Sequence, residues 1–137
     1  MKFFLDNNLS PALARALHEL TYLASNKTHS VIALRDMFPA NTQDTEWIQT
    51  LADEGGWVVI SQDKFKKSME PEVLRRAGLI VFLLGKSWKD QNFWSKAHQL
   101  VRWWPAIIEQ TERLEGAAAF EVPLRFSGKG KFMQLKL

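Results

Sequence analysis

The stretch MKFFLDNNLSPALARALHEL, residues 1–20, has the pattern of a strand, a turn and a helix. Residues 1–5 form an apolar run around one lysine, which is typical of a buried strand. Ser10 and Pro11 match the N-cap and the first position of a helix. Leucines then recur at helical spacing, at Leu13, Leu17 and Leu20. The stretch therefore predicts the first strand and helix of an α/β fold.

The predicted first strand stops on an acidic residue. Asp6 follows the apolar run directly, and Asn7 and Asn8 come after it. An aspartate in this position is often a simple turn residue. The carboxyl ends of strands in α/β folds are also where ligands bind. The rest of the sequence is needed to choose between a turn residue and a ligand-binding residue.

Strand and helix patterns alternate along the rest of the chain. Strands are predicted at residues 30–34, 57–60 and 79–84. Helices are predicted after a cap at Thr42 or Asp44, at residues 72–77 and at residues 91–114. The alternation favours a three-layer α/β/α fold with a mainly parallel central sheet.

The last third of the chain has two further features. Pro105 lies inside the long predicted helix and is expected to kink it or to divide it in two. The segments AFEVPL and KFMQLKL lie on either side of SGKG, which is typical of a C-terminal hairpin that joins one edge of the sheet.

Length and composition favour a single domain. The chain has 137 residues, of which 46% are hydrophobic, so it can bury one core but has no room for a second domain. We expect residues 1–85 to form the core with the acidic site, and residues 86–137 to add the long helix and the hairpin. Without cysteine, disulfides and thiolate metal sites are excluded. No long apolar run is present, so a cytoplasmic protein with no membrane partner is expected.

Acidic residues are expected to meet at one edge of this sheet. The carboxyl ends of parallel strands lie along the same edge, which would bring together Asp6, Asp36 and Asp63. Asp44 and Glu46 lie at the start of a helix that leaves that edge. Converging carboxylates repel each other unless a cation separates them. Carboxylate oxygens suit Mg²⁺ or Mn²⁺, so the predicted metal is hard and oxygen-bound.

Basic and amide side chains surround these acids in the sequence. The net charge of +3 is compatible with a polyanionic partner. Arg75 and Arg76 follow the predicted acidic site and would add to a basic rim, although they can equally be a solvated helix face. The predicted contacts to a nucleic-acid backbone are Asn7, Asn8, Lys64, Lys66 and Lys67.

The tryptophans divide into two predicted groups. Core positions fit Trp47, Trp57, Trp94 and Trp104. Trp88 and Trp103 are candidates to stack bases or to seal a partner interface. Packing in a core or an interface is favoured for all of them.

Three segments together resemble the PIN-like nuclease domains. They are MKFFLDNNLSPALARALHEL, DMFPANTQDTEWIQTLADEGGWVVISQDKFKK and LRRAGLIVFLL. The order of a strand ending in LD, an acid before a W-I helix and a strand ending in VVISQD resembles the compact branch related to VapC-type toxins of bacterial toxin–antitoxin systems. The resemblance covers about the first 85 residues.

The resemblance implies a metal-dependent endoribonuclease that hydrolyses RNA phosphodiesters with Mg²⁺ or Mn²⁺. The implied catalytic residues and metal ligands are Asp6, Asp44 and Asp63, and Glu46 competes with Asp44 for the second position. RNA, a cognate antitoxin protein and a second copy of the chain are the implied partners. PIN domains commonly carry a fourth acid near the third, whereas lysines follow Asp63 here, which argues against two metal ions.

Two alternatives stay open at this point. The chain can be a catalytically silent PIN-like module that binds RNA or a protein partner without needing metal. Asp6 can also be a phospho-acceptor or phosphatase-type aspartate. The phosphatase pattern needs a second acid two residues later, and Asn8 occupies that position, so this alternative is disfavoured.

Overall fold

A computed structural model describes residues 1–62, 71–127 and 130–136 of the chain. The strands are β1 (Lys2–Leu5), β2 (Ser30–Ala33), β3 (Trp57–Ser61), β4 (Ile80–Leu84), β5 (Ala118–Val122) and β6 (Met133–Leu135). The helices are α1 (Pro11–Ala24), α2 (Leu34–Met37), α3 (Asp44–Glu54), α4 (Pro71–Ala77) and α5 (Phe93–Glu112). A 3₁₀ turn at Lys86–Trp88 connects β4 to α5.

The strands form one sheet in the order β2-β1-β3-β4-β5-β6. Neighbouring strands from β2 to β5 pair in parallel, and β6 pairs antiparallel with β5. The predicted parallel sheet and the C-terminal hairpin are therefore confirmed. Strand β1 lies between β2 and β3, so the direction of strand order reverses there. This reversal is a topological switch point, which opens a crevice at the carboxyl ends of the strands.

Side chains alternate between two apolar layers on opposite faces of the sheet. Helices α1 and α5 cover one face, against residues such as Phe3 and Leu5 of β1. Helices α3 and α4 cover the other face, where Trp47 packs on Phe4 with ring centroids 5.0 Å apart. Each strand thus contributes to both layers, as expected when a parallel sheet is buried on both sides. The α/β/α prediction is confirmed.

The start of α1 follows from its local sequence. Ser10 caps the helix by accepting a hydrogen bond from the Ala12 amide, and Pro11 occupies the first turn. Leu13 and Leu17 are buried as predicted, but Leu20 is 54% exposed. The buried face of α1 continues instead through Thr21, so it departs from the leucine spacing after Leu17.

Pro105 does not divide the long helix, contrary to one of the two expectations. Helix α5 runs from Phe93 to Glu112 and contains Pro105. Pro105 and Val101, whose carbonyl loses its amide donor, both have exposed side chains. Water on that side of the helix can hydrate the carbonyl, which lowers the free-energy cost of the missing hydrogen bond.

The tryptophan prediction is wrong for one residue. Trp94 is 81% exposed rather than in the core. Trp88 and Trp103 are fully buried, and their indole N–H groups donate to the carbonyls of Val122 and Leu124. These two rings therefore pack inside the domain, as the packing interpretation predicted, and do not face a base. Among the described helices, none is both long and apolar enough to span a membrane.

Candidate active site

The residues that follow β1 and β3 meet at the switch point of the sheet. Leu5 is the register partner of Ile60, so Asp6 lies opposite Ser61. The Asp6 amide donates to the Ile60 carbonyl at 3.0 Å, which extends the ladder by one hydrogen bond. Backbone pairing between β1 and β3 therefore fixes the position of the Asp6 Cα atom, from which the side chain extends. It lies in the crevice where folds with this strand order bind ligands.

The carboxylate of Asp6 is buried and oriented by hydrogen bonds. Asp6 is only 3% exposed. Its Oδ1 accepts from the Asn7 amide at 2.6 Å, and its Oδ2 accepts from the Ser61 hydroxyl at 2.8 Å. Burying a carboxylate costs free energy, which is recovered only through hydrogen bonds, charges or a metal ion. A buried, oriented carboxylate in a ligand crevice is a candidate functional group.

The turn after Asp6 holds the two asparagines differently. The Leu9 amide donates to the Asp6 carbonyl and closes the turn. Asn7 Oδ1 accepts from Arg35 Nε at 2.7 Å, so a guanidinium lies beside the crevice. Asn8 is exposed and lines a cavity of about 220 Å³ together with Lys96. Both asparagines lie at the expected edge, and Asn7 places a cation there.

Asp44 and Glu46 point in different directions from the first turn of α3. Asp44 is half-buried, and its Oδ1 accepts from Trp47 Nε1 at 3.0 Å. Because Trp47 stacks on Phe4, Asp44 lies on the side of α3 that faces the sheet. Glu46 is exposed and lies about 200° further around the helix. Phe4 and Asp6 project from the same face of β1, so that face is shared by Asp44 and Asp6.

Asp36 lies at the predicted edge of the sheet, but its side chain pairs with another helix. It lies in α2, directly after β2, and its Oδ1 accepts from Arg15 Nη2 at 2.8 Å. The partner belongs to α1. Asp36 therefore forms a surface ion pair that links two helices, although it lies at the expected edge.

The remaining predicted residues divide into two groups. Arg75 and Arg76 are in the last turn of α4, which leads into the start of β4. They lie toward the opposite edge of the parallel sheet, so the prediction of a rim at these two arginines is wrong. The predicted site residues that lie outside the described part of the chain are Asp63, Lys64, Lys66 and Lys67.

The family model for the PIN-like domain matches residues 1–86, which include β1, α3, β3 and β4. The chain belongs to the PIN-like domain family. PIN-like domains have a nuclease-type fold and typically use divalent metal ions. Comparison with curated proteins and with solved structures gives no match.

The donor atoms of this PIN-like domain suit a hard divalent cation. Asp6 offers a buried carboxylate whose oxygens are already oriented, and Asp44 adds a second carboxylate on the same face. Carboxylate oxygens are the ligands that Mg²⁺ and Mn²⁺ prefer. Within residues 1–62, 71–127 and 130–136, no group of three acidic, histidine or cysteine side chains lies close enough to hold a metal ion. Asp63, the remaining predicted ligand, comes two positions after Ser61 in the sequence and lies outside these residues.

Three residues of the candidate site were missed in the sequence. Ser61 binds the Asp6 carboxylate, Arg35 binds Asn7, and Gln62 is 92% buried beside them. The aligned ends of FFLD and VVIS place Ser61 opposite Asp6 once β1 and β3 are known to be neighbours. No local pattern marks Arg35 or Gln62, because their roles depend on the turn after β1 and on the neighbouring strands.

Proposed function

We propose that this PIN-like domain is a metal-dependent endoribonuclease of the VapC-like toxin type. It hydrolyses RNA phosphodiesters with Mg²⁺ or Mn²⁺. The observation that supports this most is the Asp6 carboxylate, which is buried at the switch point and oriented by Ser61. A structural role alone does not require an acid there, since a neutral side chain would avoid the desolvation cost.

Three acids are proposed as ligands and catalytic residues: Asp6, Asp44 and Asp63. The sheet-facing position of Asp44 favours it over the exposed Glu46. A bound Mg²⁺ or Mn²⁺ would supply Lewis acidity to the phosphodiester and to the attacking water. The proposal needs one ion, because a fourth acid near Asp63 is not evident in the sequence.

The protein's other residues position the acid and the substrate. The Asn7 amide and the Ser61 hydroxyl hold one oxygen each of the Asp6 carboxylate. The Arg35 guanidinium, bound to Asn7, is placed to attract a phosphate of the RNA backbone. Lys64, Lys66 and Lys67 follow Asp63 in the sequence and are proposed to contact further phosphates, together with Asn8.

The biological setting is also a proposal. We infer that all 137 residues act as one domain, because β5 and β6 complete the sheet that β1 to β4 begin. The family resemblance supports a cognate antitoxin protein and a homodimer as partners. A chain without cysteine fits the reducing cytoplasm, where the RNA substrate is found.

Metal binding is the first test, because it does not depend on choosing the right RNA. Calorimetric titration of Mn²⁺ into the folded wild type should show specific binding. Asp6→Asn should weaken that binding at least about tenfold, since the substitution removes one negative oxygen ligand. The same variant should lose Mn²⁺-dependent cleavage of a mixed RNA pool, measured on denaturing gels.

Asp53→Asn is the matched control. Asp53 is exposed at the other end of α3, so its variant should bind Mn²⁺ and cleave RNA as the wild type does. Equal Mn²⁺ affinity or equal cleavage in wild type and Asp6→Asn would refute the proposed ligand. RNA binding that needs no metal, without cleavage in any protein, would instead indicate the catalytically silent PIN-like module.

A further inference from the structure

A cavity of about 620 Å³ lies beyond the carboxyl ends of β3 and β4 and beside β5. Its volume falls within the range of about 300–1,000 Å³ that is usual for small-molecule sites. The residues that matter for its chemistry are Gln62, Leu84, Lys86, Lys89, Glu121 and Leu124. The cavity opens at the same edge of the sheet as the Asp6 crevice, one strand further along.

Gln62, one of the residues that line this cavity, has a side-chain oxygen with no hydrogen-bond partner among the described residues. Gln62 is only 8% exposed, and it lines the cavity. Its Oε1 is buried and accepts no hydrogen bond from any described residue. Buried polar atoms in folded proteins almost always have a partner. The geometry therefore favours a ligand that brings an N–H or O–H donor into the cavity.

Glu121 is a second acceptor among the residues that line the cavity. The Gly85 amide donates to the Val122 carbonyl at 3.0 Å, which holds the end of β4 against β5. A Cβ added to Gly85 would lie 3.9 Å from the carboxyl carbon of Glu121, so this carboxylate lies against the glycine. The residues that line the cavity therefore combine side-chain oxygen acceptors with leucines.

Two lysine side chains lie where the cavity opens to solvent. Lys86 and Lys89 line it from the turn that follows β4, and both are exposed. A cavity lined by leucines and oxygen acceptors, with lysines at its opening, matches a nucleotide, whose flat base carries donors and whose phosphate is anionic. Glu121 would repel the phosphate, which favours entry of the base first and leaves the phosphate at the lysines.

The cavity is also next to the proposed cleavage site. Ser61 binds the Asp6 carboxylate, and Gln62 is the following residue. Ser61 pairs with Leu83, and Leu83 pairs with Glu121, so Glu121 lies two strands from Ser61, at about 10 Å. A nucleotide beside the cleaved bond would therefore reach the cavity.

We propose that this cavity binds a nucleobase of the RNA substrate that carries an exocyclic amino group. The proposal rests on the nuclease function above and assigns it a base preference. Adenine, cytosine and guanine present amino N–H donors to the Gln62 and Glu121 oxygens. Uracil presents a single N–H between two carbonyl oxygens. These carbonyl oxygens would lie close to the Gln62 and Glu121 oxygens and repel them.

The test measures nucleotide binding without cleavage. Wild-type protein in EDTA is titrated with AMP, CMP, GMP and UMP, and binding is followed by NMR chemical shifts. The three amino-bearing nucleotides should bind about five- to tenfold more tightly than UMP, which is the ratio expected for one hydrogen bond. Gln62→Met should bring all four affinities to within about twofold, because it removes the acceptor at nearly equal volume.

Gln49→Met is the matched control, since Gln49 is exposed on α3 and its variant should keep the wild-type preference. If Gln62→Met does not fold, Lys86→Ala replaces it. That variant should weaken all four monophosphates several-fold and leave their ranking unchanged. Equal affinities in the wild type, or a ranking unaltered by Gln62→Met, would overturn the base subsite, and so would unchanged binding in Lys86→Ala.

Asp6→Asn separates failure of the subsite from failure of the nuclease proposal. This variant should keep the nucleotide ranking and lose RNA cleavage, because the cavity does not include Asp6. Cleavage that depends on Asp6 without any base preference would refute only the subsite. The predicted ranking in a protein that cleaves no RNA would refute the nuclease and leave a nucleotide-binding cavity. Short RNA oligomers that bind more tightly than the monophosphates would identify RNA rather than free nucleotide as the ligand.

Discussion

Asp6 and Asp36 follow neighbouring parallel strands at the same edge of the sheet, yet their surroundings differ. Asp6 is 3% exposed, and its two oxygens accept from the Asn7 amide and the Ser61 hydroxyl. The side chain of Asp36 is 31% exposed and forms an ion pair with Arg15. One carboxylate is oriented by the sheet itself, while the other bridges two helices at the surface.

The difference shows that two acids at the same edge of the sheet need not be equally suited to the proposed metal site. A carboxylate whose oxygens are already oriented and shielded from bulk water needs less rearrangement to hold a cation. The backbone ladder between β1 and β3 supplies both for Asp6. Asp36 lies one helical turn beyond its strand, where a long arginine side chain and water can reach it.

The largest difference that we expect between two acids is the effect of substituting Asp44 compared with the effect of substituting Glu46. Asp44 should behave like Asp6, because it is half-buried and held by the Trp47 indole, whereas Glu46 is exposed. We expect Asp44→Asn to lower Mn²⁺-dependent RNA cleavage about a hundredfold and Glu46→Gln to change it less than about twofold. Initial rates at saturating Mn²⁺ measure both effects.

The Asp44→Asn variant should also fold normally, since its amide oxygen can still accept from Trp47 Nε1. Circular dichroism and the thermal midpoint provide that control. The opposite ranking, with Glu46→Gln as the damaging change, would show that burial next to the sheet does not select the second acid.

Ser61 tests the orientation of Asp6 with a smaller expected effect. Ser61→Ala removes the hydroxyl that donates to Asp6 Oδ2. Removing such a supporting hydrogen bond typically costs about ten- to hundredfold in metal affinity, so we expect about a tenfold weaker Mn²⁺ titration. Ser61→Thr, which keeps the hydroxyl, should restore part of the Mn²⁺ affinity.

Ser30→Ala is the control, because Ser30 begins β2 at the opposite edge of the sheet. It should leave the Mn²⁺ affinity unchanged. If Ser61→Ala lowers only the thermal midpoint and binds Mn²⁺ normally, the hydroxyl stabilises the fold but does not position the carboxylate.

Most of the fold could be predicted because it depends on local patterns. The cap at Ser10 and Pro11, the apolar runs of β1 and β3, and the strand–helix alternation together predict a parallel sheet. Leu20 and Trp94 were misplaced, since apolar spacing gives a helix face only approximately: the buried position beside Leu20 is Thr21, and Trp94 lies on the exposed side of α5. Pro105 was tolerated because its side of α5 faces solvent.

The candidate site could be predicted only in part. The position of Asp6 follows from the end of an apolar run, and the family resemblance adds the order of the acids. Its partner Ser61 lies 55 positions away and is found only through the register of β1 with β3. The pairing of Asp36 with Arg15 likewise depends on how α1 packs beside α2, which no local pattern encodes.

The Arg15–Asp36 pair should give the smallest effect of all. Exposed ion pairs contribute about 0–1 kcal/mol to the free energy of unfolding. Arg15→Gln and Asp36→Asn should therefore each lower stability by less than about 1 kcal/mol in urea, with less effect in high salt. Neither variant should alter RNA cleavage or Mn²⁺ affinity, because Asp36 is bound to α1 rather than oriented toward Asp6. A large loss of Mn²⁺ affinity in Asp36→Asn would mean that Asp36 leaves Arg15 to reach the metal, and the contrast between the two aspartates would then depend on the bound state rather than on the fold.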